Sequence, residues 1–453
     1  MNQSPYITIL GGGPAGLAAG YFAKKHNLTF TIYEANQRTG GNAITLKHGD
    51  FRFDSGAHRF HDRDPEVTQE LKRLLGNDLR KIEVPSQTYY GGKFIDFPLS
   101  PMDLMIKLGI PTFAKAGLEL IAARLSQEQG NGSFESFAVH TYGRTIANRF
   151  LLNYTEKLWG RPCSTLSPHI SGSRLKGLDL ATFLREAILG KRAKITHLDG
   201  GFYYPKWGYG SIVESLADAC GLENINTNAR ITRIMHHQGR IETIEINGDD
   251  RVPVDEVVST LPLPILLRIL EPLPEAPILD FAKNLVFRNL ILVVLFIDRE
   301  RVSNNASIYI PDSEIPFTRI YEPKNRSAAM APDGKTALCV EVPCSPEDEL
   351  WNASEDDLKR MVRTQLVRLG IIQEEAIIED LVYRMSHAYP VLELGVEEQI
   401  HTIYEYLEGF RNLKLSGRNG KFLYTHVGDM LRFGMDIVQE YLETSNESAL
   451  EAR

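Results

Sequence analysis

Gly11, Gly13 and Gly16 fill the three places of G-x-G-x-x-G, and the chemistry this trio permits is the capture of a pyrophosphate by main-chain N–H groups. Gly11 allows a tight turn, Gly13 lets an anion approach the backbone, and Gly16 lets a helix close on a strand. The start of that helix carries about half a positive charge on its unpaired N–H groups. Glu34 stands 23 positions past Gly11, near the roughly 20 at which an acid accepts a hydrogen bond from a ribose 2′-OH. An acid there disfavours a 2′-phosphate.

The elements that must position these residues are present in order. A strand is predicted over Tyr6 to Leu10, then a helix with Pro14 in its first turn and Leu17, Ala18, Tyr21 and Phe22 on one face, then a strand from Thr29 to Tyr33. This is the β-α-β unit of a dinucleotide fold. Its continuation, Glu34-Ala-Asn-Gln-Arg38-Thr-Gly40-Gly41, resembles the FAD-binding flavoproteins of the amine-oxidase type. Leu413 to Leu415, then Ser416-Gly417-Arg418-Asn419-Gly420 and a helix beginning near Asp429, is similar to that superfamily's second FAD contact. The resemblance implies that Gly11, Gly13, Gly16, Glu34, Arg38, Gly41, Gly417, Arg418 and Asp429 hold FAD. No cysteine carries a covalent-flavin signature, so the FAD is expected to be non-covalent.

A chain of 453 residues with 43% hydrophobic content can bury two or three domains. A formal net charge of −8 argues against a nucleic-acid face, which needs clustered Lys and Arg. Cys163, Cys220, Cys339 and Cys344 show neither a C-x-x-C pair nor metal spacing with His, so we read them as buried small hydrophobes in a reducing compartment. No secretory signal is recognised at the N-terminus, and the longest apolar run, Leu290 to Ile297, has the length of a buried strand. We expect a cytoplasmic protein without a transmembrane segment or bound metal.

Along the chain, Phe51 and Phe53 alternate as in a strand and lead to Asp54-Ser-Gly56-Ala-His58-Arg59 beside the cofactor. Tyr89 to Leu99 reads as a hairpin turning at Gly91-Gly92. Pro101 to Leu125 reads as packed helices, and near-helical spacing from Phe137 to Tyr154 ends at Trp159-Gly160. Thr182 to Lys194 reads as a solvated basic helix face, and Phe202 to Ser211 as an aromatic, glycine-rich loop before a helix. Three short strands are expected over Ala229 to Met235, Arg240 to Ile246 and Asp255 to Thr260. A second sheet is expected from Val286 to Ile297, Ala306 to Ile310 and Thr336 to Val342. The expected fold is α/β: a discontinuous Rossmann-like FAD-binding domain (1–95, 200–262, 405–443), a helical insert (96–199), an antiparallel-sheet substrate domain (263–404) and a flexible tail (444–453).

Further stretches resemble UDP-galactopyranose mutases, especially the eukaryotic kind. Gly56-Ala-His58 resembles their mobile histidine loop, although two glycines usually precede that histidine. Lys157-Leu-Trp159 followed by Arg174 is similar in spacing to their tryptophan and first diphosphate-binding arginine. Phe202 to Gly210, with Gly208, resembles their loop at the flavin. Tyr309-Ile-Pro311 to Pro316-Phe317-Thr-Arg319 resembles their tyrosine and second arginine, and His387-Ala-Tyr389-Pro390 and Tyr424 look like further diphosphate contacts. The resemblance implies that His58, Arg174 and Arg319 serve catalysis and that Trp159, Tyr309, Tyr389 and Tyr424 bind substrate. It also implies interconversion of the pyranose and furanose forms of a nucleotide-diphosphate sugar through a reduced-flavin N5 adduct, with NAD(P)H a candidate reductant and an oligomer left open. The segment after Tyr424, and HLDGG before Phe202, lack polar residues expected near the diphosphate and the uracil. An oxidoreductase that passes hydride to FAD, of the amine-oxidase, desaturase or protoporphyrinogen-oxidase kind, is therefore the alternative.

Overall fold

The computed structural model describes residues 6–97, 99, 101–125, 131–171 and 201–451. Arg174 and the basic stretch 182–194 lie outside the described residues. The opening strand, Ile7–Leu10, is buried throughout and forms the centre of a five-stranded parallel sheet. Phe30–Tyr33 and then Ile225–Asn226 lie on one side of it, Glu256–Ser259 and Leu413–Leu415 on the other. Helix Pro14–Lys25 covers this sheet together with Ser211–Cys220 and the final helix, Val427–Glu451. Both glycine predictions hold here: a Cβ on Gly16 would stand 1.9 Å from the carbonyl oxygen of Gly11, and Gly11 itself has φ +105°.

A second sheet has seven strands, in the order Ile377–Pro390, Phe287–Ile297, Thr336–Cys344, Arg319–Tyr321, Ser307–Tyr309, Ser86–Tyr90 and Lys93–Phe97. Phe287–Ile297 and Thr336–Cys344 are buried at every position because helix Glu355–Arg368 and the first layer of the molecule cover the two faces. The 86–97 hairpin turns where expected, with Gly91 at φ +57° and Gly92 at φ +76°. The hairpin belongs to this sheet, in which Ser86–Tyr90 pairs with Ser307–Tyr309. Turn chemistry is local, whereas sheet membership is decided by a partner some 220 residues away.

The three strands expected between Ala229 and Thr260 form at Ile231–His237, Arg240–Ile246 and Glu256–Ser259; the first two pair antiparallel, with Asp250–Pro253 beside Arg240–Ile246, and the third joins the parallel sheet. The stretch expected as a flexible tail continues the last helix to Glu451. In the helical insert, Phe134–Tyr142 and Asn153–Trp159 flank a π-turn at Ala147–Leu152, and Gly160 closes the run in the left-handed conformation. Helices Pro101–Leu108 and Ile110–Leu125 pack inward through Leu104, Ala116 and Leu120, while Met102, Ile106, Ile110, Leu118, Ile121 and Leu125 stand exposed. Among the described residues no helix is long and apolar enough to cross a membrane.

Gly16→Ala should force the helix off its strand. We expect a loss of about 1–3 kcal/mol in stability and a sub-stoichiometric flavin content, read by thermal unfolding and by absorbance of the purified protein.

Candidate active site

A single cavity of about 890 Å³ runs from the parallel sheet to the seven-stranded one, and most of the residues singled out in the sequence line it. At one end the helix Pro14–Lys25 starts without a side-chain cap or an acidic residue in its first turn, so its first N–H groups face the cavity unneutralised. A Cβ on Gly13 would meet nothing within 4 Å, which leaves room for a ligand directly against the backbone. Glu34 is 7% exposed. Its Oε2 accepts from Gly12 N at 2.8 Å and its Oε1 from Asn36 N at 2.9 Å and Asn36 Nδ2 at 2.6 Å. Three of about four lone-pair sites are thereby used, leaving one for a sugar hydroxyl.

The other end is built by strand register. In the seven-stranded sheet Thr88 lies opposite Tyr309, Tyr309 opposite Arg319, and Arg319 opposite Glu341. The ten-residue spacing of Tyr309 and Arg319 is therefore that of cross-strand neighbours in a wide hairpin. Lys157 staples the hairpin's loop to the insert: its Nζ donates to the carbonyl oxygens of Asp312 at 2.6 Å, Ile315 at 2.9 Å and Phe317 at 2.9 Å. Two residues on, Trp159 is buried and meets Tyr389 and Tyr424 edge-on, with ring centres 5.9 and 5.4 Å apart. Arg319 is not a free cation. Its Nε donates to Glu341 Oε2 and its Nη2 to Glu341 Oε1, both at 2.8 Å. Burial, the largest single influence, opposes the charge of the guanidinium, but the Glu341 carboxylate and the Tyr154, Tyr389 and Tyr309 phenols together outweigh it and the net shift is well upward. Burial, then Glu341, pushes the Tyr389 phenol up to about 12, so it stays a donor.

Between the two ends lies the Gly56–His58 loop. The His58 ring stacks on Tyr209, 4.9 Å away at 20°, and its Nε2 lies 3.2 Å from the carbonyl oxygen of Asn42. Burial, reinforced by the cations Arg418, Arg319 and Arg326, lowers its pKa to about 3, so the imidazole is neutral. Tyr209 is set by Asp54, which accepts from Tyr209 N at 2.8 Å, Tyr204 OH at 2.5 Å and Thr45 Oγ1 at 2.7 Å.

Comparison with known proteins now bears on this geometry. The model of the family described as flavin containing amine oxidoreductase matches residues 14–389. The chain belongs to this family of flavin-containing amine oxidoreductases. The coproporphyrinogen III oxidase of Bacillus subtilis (strain 168) is 22% identical to the flavoprotein over 447 residues, covering 89% of this chain and 90% of that one. The 4,4'-diapophytoene desaturase of Staphylococcus aureus (strain Newman) is 24% identical over 439 residues, covering 84% and 83%. In fold, a reduced UDP-galactopyranose mutase superposes with a TM-score of 0.86 at 19% identity over 98% of this chain and 94% of that one.

Membership implies FAD, and the residues fit it. Besides the open cradle at Gly13, three buried oxygens around the second contact, Ser416 Oγ, Asn419 Oδ1 and Thr425 Oγ1, have no hydrogen-bond partner among the described residues. Gly41 and Gly417 both line the cavity, Gly41 beside Gly13 and Gly417 packed directly against Ala15, where a Cβ would stand 3.0 Å from that of Ala15. Arg418 donates to the carbonyl oxygens of Thr425 and Ala388 at 2.9 and 3.1 Å and lies over the rings of Tyr389 and Tyr424.

Four residues of the expected cofactor set do not themselves line this cavity. Gly16 is a packing glycine, and Gly208, at φ +105°, abuts Thr45 while its neighbour Tyr209 lines the cavity. Arg38 points outward to Tyr383 OH at 2.9 Å. Asp429 accepts from His426 N at 2.7 Å at the start of the last helix and borders a smaller adjoining cavity. Of the expected substrate residues, Trp159, Tyr309, Arg319, Tyr389 and Tyr424 share one wall with His58 nearby. Glu341, Tyr154 and the staple of Lys157 were missed. A lone Glu inside Thr-Ala-Leu-Cys-Val-Glu-Val-Pro-Cys was the available signal.

The neutral His58 has a consequence for stability. Between pH 6.5 and about 3 the unfolded chain binds a proton at this residue that the folded chain refuses, so stability rises with pH across that window and is lost as pH falls. His58→Gln should remove up to about 1.4 kcal/mol per pH unit of that slope. Unfolding of both proteins between pH 4 and 7 tests this; parallel curves would contradict it.

Proposed function

We propose that this flavoprotein rearranges a nucleotide-diphosphate sugar between pyranose and furanose forms, in the manner of the UDP-galactopyranose mutases. The observation that carries the reading is the donor set of the cavity wall. The Arg319 guanidinium lies within the electrostatic reach of the Tyr154, Tyr309 and Tyr389 phenols, and Tyr424 and Trp159 complete the wall. Donors of this kind suit an oxygen-rich anion. Neither cysteine nor lysine lines the cavity among the described residues, so no thiol or amine competes to be the nucleophile. FAD bound non-covalently, once reduced by a donor such as NAD(P)H, supplies the covalent chemistry.

The chain's own residues then bind and orient. Arg319 turns the guanidinium edge not taken by Glu341 to one phosphate, and Arg174 is assigned the other. Tyr309, Tyr389 and Tyr424 donate to phosphate oxygens, and Trp159 fixes the last two by packing. His58, neutral above about pH 3, presents a polar but uncharged edge at the flavin end. Glu34, Gly13, Gly41 and Gly417 hold the dinucleotide.

A second reading, hydride transfer from a reduced organic substrate to FAD, is favoured by the pairing of Arg319 with Glu341, which halves the charge offered to a diphosphate, and by the activities named for the two sequence relatives.

Anaerobic reduction followed by titration with UDP and UDP-galactose separates the two. The mutase reading expects a flavin spectral change, tighter binding to the reduced form, and a sugar trapped on the flavin by borohydride. Tyr389→Phe should weaken UDP binding roughly tenfold, and Arg319→Lys by more. Denaturation should release all the FAD. No response to any nucleotide sugar, together with fast reoxidation by oxygen or a quinone, would favour the hydride-transfer enzyme.

A further inference from the structure

Glu341 is the one charged residue in a strand, Thr336–Cys344, that is buried at all nine positions, and it is itself 1% exposed. A carboxylate so placed is costly unless its oxygens are fully engaged. They are engaged by two separate parts of the cavity wall. Oε2 accepts from Arg319 Nε, and Oε1 accepts from both Arg319 Nη2 and the main-chain N–H of Ala57, all at 2.8 Å. Ala57 is the middle residue of the Gly56–His58 loop, and a Cβ on Gly56 would stand 3.6 Å from the same oxygen. Arg319 and the loop thus share one acceptor atom.

We propose that Glu341 is a positioning residue that ties the histidine loop to the arginine of the substrate wall, so that anion binding at Arg319 and the position of the loop are coupled through a single carboxylate. This rests on the reading of Arg319 as an anion receptor. An anion arriving at the guanidinium edge that Glu341 leaves free competes with the carboxylate for the same positive charge and loosens the Glu341 pair. As the carboxylate yields Arg319, its bond to Ala57 changes, and the loop is re-set without any direct contact between anion and loop. In the other direction, the charge of Glu341 holds down the affinity of Arg319 for anions, which favours release of a charged product. Ala57 in place of a second glycine stiffens the loop's backbone, so the anchor works on a segment with few conformations of its own.

The test uses the FAD-loaded protein and inorganic pyrophosphate. Hydrogen exchange is followed at the Ala57 amide, with the Ile7–Leu10 strand as internal reference, and pyrophosphate affinity is measured by titration calorimetry. In Glu341→Gln we expect exchange at Ala57 to quicken roughly tenfold, the reference strand to stay unchanged, and pyrophosphate to bind roughly tenfold more tightly. Glu341→Asp keeps the charge but shortens the reach: it should quicken Ala57 exchange and leave pyrophosphate affinity close to that of the native protein. A purely structural role would not divide the two readouts in this way. The native protein alone also decides, should the variants fail to fold, because saturating pyrophosphate must alter exchange at Ala57. Unchanged Ala57 exchange in Glu341→Gln, or in the pyrophosphate-saturated native protein, would overturn the proposal. Pyrophosphate binding to neither native nor variant protein would instead sink the diphosphate reading, while faster Ala57 exchange in Glu341→Gln would still uphold the loop anchor.

Discussion

The cofactor half of the structure depends on how closely the helix Pro14–Lys25 can be approached. Gly16 brings it onto the opening strand, and Gly20 faces Ile32, Phe30 and Cys220 at distances a side chain would not tolerate. On its outer side Gly434 of the last helix lies so near that a Cβ would stand 2.7 Å from the main chain of Ala18 and Ala19. Three glycines therefore set the spacing of strand, helix and helix. Because the last helix follows directly from the Ser416–Gly420 turn, that spacing also fixes where the second cofactor contact meets the first. Gly11, packed against Thr260 of the strand end next door, completes the same arrangement.

Several arginines lie in the wall of the cavity beyond it or buried behind that wall, and their charges are each managed differently. Arg319 is matched by a buried carboxylate. Arg326 is fully buried and donates to the carbonyl oxygens of His58 and Ala306 at 3.0 and 3.1 Å, with its guanidinium over the rings of Tyr204 and Tyr321. Arg59 donates to the hydroxyls of Ser86 and Ser307 at 2.7 and 2.9 Å. Arg418, Arg319 and Arg326 together set a positive field at His58. That field, added to burial, is what keeps the imidazole of His58 unprotonated.

What could be read from sequence was whatever the chain writes locally. The turn at Gly11, the close packing of Gly16 and the Gly91-Gly92 turn are set within a few residues and have the expected backbone. Tyr309 and Arg319 were legible as a pair because a hairpin turns their spacing into contact. Direction was not legible: the motif around Arg38 gives its place in the chain, but the side chain turns out to Tyr383. Nor was register between distant strands. Nothing near Glu341 says that it will lie opposite Arg319, and nothing near Ser86 says that its hairpin will join the seven-stranded sheet. The π-turn at Ala147–Leu152, which sets Phe150 and Leu151 toward the cavity, breaks the helical period on which the prediction of that helix rested.

The cavity draws its lining from Gly11 near one end of the chain to Met430 near the other, with the strand after Ile7–Leu10 in the sheet supplied by residues 256–259 and the next by 413–415. Few of these contacts are local, and topologies of that kind form slowly. During synthesis the glycine turn emerges well before residues 413–430, which complete its surroundings. FAD can therefore be enclosed only after those residues have been made, and until then the buried strands of both sheets must be kept from pairing with other chains.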